Sequence, residues 1–357
     1  MSLLKDLLKP LTEVGTALTR EQSRTVLRQI LAGEVPEVEV AALLTTMATR
    51  GETYLELTGF AEVMREQSIP LPLTEEERSQ LVDPVGTGGG GPSTFNISSG
   101  AALVAAAAGA KIAKHGNRAV TSKCGAGDVL EALGVPMDLG PELAVECLRE
   151  TGFMFLFAPK YHPTMKQVGP LRRALGFRTI FNLCGPLTNP AKAPYQVIGV
   201  LAASRVLLMG RALATLGTTR SFVICGTDGL DEMTIFGETV VARIEAPVPL
   251  TEHPEKAMRA SRVTPEMAGL TRLESGDITG GDAAANAAIL VDILTGAQGP
   301  RRDITLLNAA AVLVACGLAA DLKEGVAKSA EAIDSGQAVV VLEKLRRFGA
   351  KYGSKVN

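Results

Sequence analysis

Three short stretches of this sequence combine residue types that can hold an anion or a metal ion. The first is Gly86-Thr87-Gly88-Gly89-Gly90-Gly91, followed closely by Asn96, Ser98 and Ser99. Glycines let successive backbone N–H groups point into one concavity, and a helix beginning near Ser98 would aim the positive end of its dipole there. The second stretch, Lys114-His115-Gly116-Asn117-Arg118, brings an ammonium, an imidazole and an amide together. The third, Asp228-Gly229-Leu230-Asp231-Glu232, supplies the first carboxylates after Glu150. Mg2+ typically takes one or two protein carboxylates and completes its shell with water and phosphate oxygens. A Mg2+-bound diphosphate would therefore connect all three stretches.

Each stretch also has a plain structural explanation: a strand-to-helix turn, a core histidine, an acidic surface loop. Charge segregation favours a ligand. Between Pro84 and Gly127 there is no Asp or Glu, while Lys111, Lys114, Arg118 and Lys123 all fall inside. From Thr151 to Thr227 carboxylates are again absent, and Lys160, Lys166, Arg172, Arg173, Arg178 and Lys192 sit among Gly, Pro and Asn. Arg205, Arg211 and Arg220 in the same window read as solvated helix faces. Gly86, Gly88 and Gly91 satisfy GxGxxG, but a dinucleotide site needs an acidic residue roughly 20 positions later, and none is present. Gly86 and Gly91 also have P-loop spacing, yet Pro92-Ser93 stands where Lys-Ser/Thr is required.

The elements that must position these stretches follow from periodicity. Residues 1–72 read as a small helical domain: Leu3, Leu4, Leu7, Leu8 and Leu11 recur at helical spacing, and Thr19 with Gln22 forms a capping box before Val26, Leu27, Ile30 and Leu31. Further helices follow Pro36 and Thr53, and Ile69-Pro70-Leu71-Pro72 ends the unit. Such a bundle suits a packing or dimer surface. From residue 73 to 357, short apolar runs alternate with helices, predicting an α/β domain with a mostly parallel central sheet covered by helices. A strand is expected at Lys111 to Ala113 and another at Ser221 to Cys225. Consecutive parallel strands end on one edge, so the glycine loop and the Lys114 turn should face one crevice. Three long helices close the chain, with Gly317 and Gly336 as stops.

Composition excludes several classes. The 357 residues are 46% apolar and 21% charged with net charge −2, which supports a large core and gives no argument for nucleic acid. No apolar run reaches the ~20 residues of a membrane span. Lys5, Asp6 and Lys9 interrupt the N-terminal leucines, unlike the unbroken apolar region of a signal peptide; the expectation is a cytoplasmic protein. Cys124, Cys147, Cys184, Cys225 and Cys316 lack CxxC spacing, which argues against a disulfide framework or zinc site.

The segments GTGGGGPSTFNISS, KHGNRAVTSKCGAGDVLEALGV, FAPKYHPTMKQVGPLRRALGFRTIFNLCGPLTNP, GTDGLDE and GGDAAANAAIL together resemble the anthranilate phosphoribosyltransferase family over nearly the whole chain. The resemblance implies a small helical domain joined to a larger α/β domain, related to the pyrimidine nucleoside phosphorylases, with a homodimer formed through the helical part and a joining segment near residues 165–190. It implies transfer of phosphoribose from 5-phosphoribosyl 1-diphosphate to the amino group of anthranilate, with Mg2+ as cofactor. By the same resemblance, Gly86, Thr87, Gly89, Gly90, Asn96, Ser98, Ser99, Lys114, Asn117, Cys124 and Ala126 would hold phosphoribosyl diphosphate. Ser98, Asp231 and Glu232 would meet Mg2+. Gly86, His115, Asn117, His162 and Arg172 would line the anthranilate path, Arg172 pairing with its carboxylate, and His115 is the only nearby candidate for a general base. Four positions depart from the family pattern: Gly90 replaces an Asp, Cys124 and Ala126 replace serines, and Ser99 replaces a Thr. Loss of the Asp carboxylate beside a diphosphate is expected to change metal dependence more than substrate identity. A nucleoside phosphorylase of the same fold and a non-catalytic nucleic-acid-binding relative are the alternative readings; Asp231, Glu232 and Arg172 favour neither.

Overall fold

The structure is a computed structural model that describes residues 3–88, 93–119 and 123–352; Gly89 and Gly90 of the expected site lie outside them. Four helices open the chain, Leu3–Glu13, Arg20–Leu31, Glu37–Arg50 and Tyr54–Glu66. Capping boxes at Thr19/Gln22 and Thr53/Glu56 start the second and fourth. Glu56 does more than cap. Its carboxylate is fully buried, accepts the Leu18 N–H at 3.0 Å and pairs with the Arg50 guanidinium at 2.6 Å, so it ties the ends of three helices together.

These four helices do not close a core by themselves. Val168, Leu171, Ile180, Phe181, Leu183, Cys184 and Leu187 pack into the same apolar cluster, contributed by the helices Gly169–Leu175 and Ile180–Cys184 and the turns around them. The cluster runs on to one face of the sheet through Ile198, Val200 and Val223. The opposite face is covered by the helices Ile97–Ala107, Ala283–Leu294, Pro300–Ala315 and Gln337–Tyr352.

The sheet has seven strands: β1 (Leu81–Gly86), β2 (Lys111–Gly116), β3 (Phe153–Phe157), β4 (Tyr195–Gly199), β5 (Thr218–Gly226), β6 (Thr239–Ala246) and β7 (Met258–Val263), in the order β3-β2-β1-β4-β5-β6-β7. The first five in that order are parallel, and β6 and β7 add antiparallel. The connection between β5 and β6, residues 227–238, holds no helix that could carry the chain back across the sheet, so β6 returns beside β5 in the opposite direction. β2 is longer than the sequence predicts. It carries Lys114 and His115 inside the strand, bonded to β3, where period-2 alternation turns them to opposite faces of the sheet.

Chain order reverses direction at β1. The chain moves outward from β1 to β2 and β3, then returns to place β4 on the other side of β1. In an open parallel sheet, the crevice beyond the carboxyl ends of the strands at such a point is where ligands bind. The alanine-rich helix Ile97–Ala107 packs behind this crevice and is buried on nearly every side. Its small residues are required by that burial: a Cβ on Gly100 would lie 2.8 Å from Leu290.

Candidate active site

The crevice is built on two facing glycines. Gly86 ends β1 and is in register with Gly199, which ends β4. The acidic loop after β5 lies directly across them: a Cβ on Gly199 would fall 1.7 Å from the Asp231 carbonyl oxygen, and one on Gly86 2.7 Å from the Asp231 carboxylate. Any side chain at either position would displace Asp231. Three contacts fold the loop. The Gly226 N–H donates to the Leu230 carbonyl at 2.8 Å, and Asp228 accepts from the Leu230 N–H at 3.3 Å and from the Thr234 hydroxyl. Asp228 thereby shapes the turn. Asn308, from the buried helix Pro300–Ala315, accepts the Met233 N–H and donates to the Met233 carbonyl, both at 2.9 Å, and so anchors the loop just past Glu232. Its signal in the sequence is a single amide in the apolar run LLNAAAVLVA.

Asp231 and Glu232 meet the other two stretches here. Glu232 accepts the Ser98 N–H at 3.1 Å, at the first turn of the helix Ile97–Ala107. The Lys114 ammonium, fully enclosed, donates to the Pro84 carbonyl at 2.6 Å and to the Ser98 hydroxyl at 3.3 Å. The Gly88 N–H bonds to Asp231. Burial raises the proton affinity of both carboxylates, and Glu232 is raised further by Asp231 beside it; burial lowers that of Lys114. Two desolvated carboxyls beside the Lys114 ammonium, with the Arg178 guanidinium near Asp231, hold their protons more tightly than usual, and a divalent cation would favour their charged forms. Among the described residues no cluster of three His, Cys, Asp or Glu exists. Two carboxylates and a hydroxyl are a hard-oxygen set suited to Mg2+, which draws its remaining ligands from water and phosphate.

Behind Lys114 stands Asp83, buried in β1. It accepts the His115 N–H at 3.1 Å and the Asn189 amide at 2.8 Å, and burial pushes its carboxyl up to about 6. Asn189 also donates to the Ala113 carbonyl at 2.7 Å, so this pair fixes the backbone of β2 on both sides of Lys114. Sequence reasoning assigns Asp83 no role. Its signal is an acid placed inside an apolar strand immediately before a glycine loop.

The remaining expected residues divide. Asn96 donates to the Cys124 carbonyl at 3.3 Å and accepts from Asn286 at 2.8 Å, and Asn286 in turn accepts the Gly281 N–H at 2.7 Å. This chain of amides holds the two loops bordering the crevice to each other. Cys124 is nearly buried with its thiol shifted up by burial, and Ala126 opens the helix Ala126–Ala132, where it offers only backbone. Asn117 is exposed and accepts the Arg118 N–H at 2.7 Å. Ser99 is different: its hydroxyl is fully enclosed without a bonding partner.

On the side of the helical unit, His115 and His162 lie with ring centroids 5.1 Å apart, both nearly buried. Burial pulls His115 down to about 3 and His162 to about 4, so both are neutral near pH 7. Each keeps a buried Nε2 without a partner. Arg172 lies with its guanidinium 5.3 Å from the Phe181 ring centroid and forms no ion pair with a carboxylate among the described residues, although burial lowers its proton affinity. A half-buried guanidinium of this kind is ready for a carboxylate from outside.

Two models of a glycosyl transferase family match the chain, the helical bundle domain over residues 5–68 and the a/b domain over residues 78–339. Bundle, sheet and crevice thus define a two-part glycosyl transferase. The anthranilate phosphoribosyltransferase of Symbiobacterium thermophilum is 45% identical over 345 residues, 97% of either chain. The solved anthranilate phosphoribosyltransferase of Thermus thermophilus superposes with a TM-score of 0.85 at 41% identity, covering 98% of this chain and 99% of that one. The Saccharomyces cerevisiae enzyme in complex with PRPP and Mg gives 0.85 at 28% identity, covering 98% of each. The chain belongs to the anthranilate phosphoribosyltransferase family.

Proposed function

We propose that this protein transfers the 5-phosphoribosyl group of phosphoribosyl diphosphate to the amino group of anthranilate. The C1–N bond forms as the C1–O bond to diphosphate breaks, and the amine proton leaves to water or to the departing diphosphate. The observation that carries this reading is the placement of Lys114, Ser98, Asp231 and Glu232 at the β1/β4 switch point, within a family whose solved relative binds PRPP and Mg.

Gly86, Thr87, Asn96, Ser98 and Lys114 form the cradle for the sugar phosphate and diphosphate, and Gly89 and Gly90 follow Gly88 in the same glycine run. Ser98, Asp231 and Glu232 would hold Mg2+, which when bound supplies positive charge to the diphosphate as it leaves. Lys114 and the backbone N–H groups add fixed positive dipoles there, and such preorganised charge costs no rearrangement during the reaction. Arg172 pairs with the anthranilate carboxylate. His115 and His162, neutral and with unpaired nitrogens, wall the path of the aromatic amine. His115 is too weak a base at about 3 to take a proton near pH 7. Orientation and charge stabilisation therefore carry the reaction, with no side chain as nucleophile.

We further propose a homodimer through the helical unit and a cytoplasmic location; no helix among the described residues is long and apolar enough to cross a membrane. The activity is tested by mixing protein, anthranilate, phosphoribosyl diphosphate and Mg2+ and following loss of anthranilate fluorescence. Absence of turnover at every Mg2+ concentration would refute it.

A further inference from the structure

We infer that Arg178 is a positioning residue that couples the two substrate sites, orienting the first peptide of the anion loop from the same segment that carries Arg172. The inference rests on the activity proposed above. Its geometric basis is a single guanidinium spanning two successive carbonyls: Arg178 Nη1 donates to the Gly88 oxygen, and Nη2 to the Thr87 oxygen at 3.4 Å.

In a trans peptide the C=O and the following N–H point in opposite directions. Holding the Thr87 oxygen toward Arg178 therefore turns the Gly88 N–H to the other side, where it meets the Asp231 carboxylate. Gly88 has φ of +60°, a conformation that an L side chain rarely adopts, so the loop can present both carbonyls to one fork. The cation also polarises the peptide it holds and strengthens its N–H as an anion donor. Asp231 faces Arg178 from the acidic loop, and Arg205 opposes it from the helix Ala203–Leu216.

The connection to the other substrate runs through a short, stiff path. Arg178 immediately precedes Thr179, the capping residue of the helix Ile180–Cys184, whose N–H is bonded to Asn182 at 3.0 Å. Phe181 in that helix lies beneath the Arg172 guanidinium and against Phe60 at 5.8 Å between centroids. A carboxylate that draws Arg172 into an ion pair acts on the helix to which Arg178 is fixed. Filling the aromatic-acid side thus stabilises the loop conformation that receives the diphosphate, and by linkage the reverse also holds.

Benzoate carries the carboxylate but has no amine, so it allows the phosphoribosyl diphosphate site to be titrated without turnover. Calorimetry measures the affinity for Mg2+-phosphoribosyl diphosphate with and without saturating benzoate, in wild type, Arg178→Gln and Arg178→Lys. Benzoate is expected to tighten wild-type binding about fivefold. Arg178→Gln should abolish that coupling and weaken binding by roughly tenfold. Arg178→Lys, which keeps the charge and loses the fork, should fall between and also answers the question if the Gln variant does not fold. A wild-type protein without coupling, or a variant that loses thermal stability yet keeps the wild-type factor, overturns the inference. Anthranilate turnover by the wild type, assayed in parallel, tests the activity separately.

Discussion

On the side of the crevice proposed for diphosphate, Lys114, Asp83 and Glu232 are already bonded to the protein; across it, His115 and His162 keep unpaired buried nitrogens and Arg172 has no carboxylate partner among the described residues. The first side is assembled before any ligand arrives. Its charges are desolvated and oriented by backbone groups, so a polyanion meets the Lys114 ammonium already in place and a metal ion meets the carboxyl already in place. The second side leaves its valences open, and an unpaired buried polar atom costs free energy that a matching ligand atom recovers. Preassembly suits the ligand that is shared chemistry, phosphate and metal. Open valences suit the ligand that must be selected.

The largest expected effect breaks the first side. Replacing Asp231 and Glu232 together by Ala should lower kcat by roughly a hundredfold to a thousandfold, the scale of losing a principal charge-stabilising group, and should raise the Mg2+ concentration needed for half-maximal rate. Steady-state kinetics across a Mg2+ titration measure both; an unchanged Mg2+ dependence would remove these residues from the metal site. Arg172→Ala addresses the second side. It should cost about 2 to 5 kcal/mol in kcat/KM for anthranilate if the guanidinium meets a desolvated carboxylate, while the KM for phosphoribosyl diphosphate rises by no more than the roughly fivefold coupling that starts at Arg172. An unchanged anthranilate KM would place the aromatic acid elsewhere.

The smallest effect on rate comes from pH. With His115 at about 3 and His162 at about 4, neither imidazole titrates between pH 6.5 and 8 in the folded protein, so His115→Gln should leave the shape of the kcat/KM profile in that range unaltered. Stability behaves otherwise. The unfolded chain binds protons at these histidines near pH 6.5 and the folded chain does not, so stability falls as pH drops below that value. The His115→Gln/His162→Gln variant should therefore lose less stability than wild type between pH 6.5 and about 4, as urea unfolding at a series of pH values would show.

Much of this site is legible before folding is considered. The glycine loop, Lys114 and the Asp231-Glu232 pair announce themselves because their chemistry is local: a glycine cluster, a cation and an acidic dipeptide each read the same in isolation. Asp83, Asn189, Asn308 and Gly199 do not, because each acts on a residue far away in the chain. Asn308 looks like one amide in a buried helix until Met233 is placed against it, 75 positions earlier. Gly199 looks like a strand ending until Asp231 crosses it. Ser99 neighbours Ser98 in sequence, and only the fold shows that its hydroxyl is fully enclosed without a bonding partner.

The division into a helical unit and a layered α/β unit is written in the sequence alone, since burial periodicity is a property of neighbouring residues, and so are the three chemical stretches that point to an anionic partner. Tertiary structure alone decided that β4 returns to the far side of β1, that two glycines therefore face each other beneath Asp231, and that Arg178 reaches the loop from the segment of Arg172. Strand order is set by which apolar faces can be covered at once, a condition on the whole chain, and no local pattern encodes it.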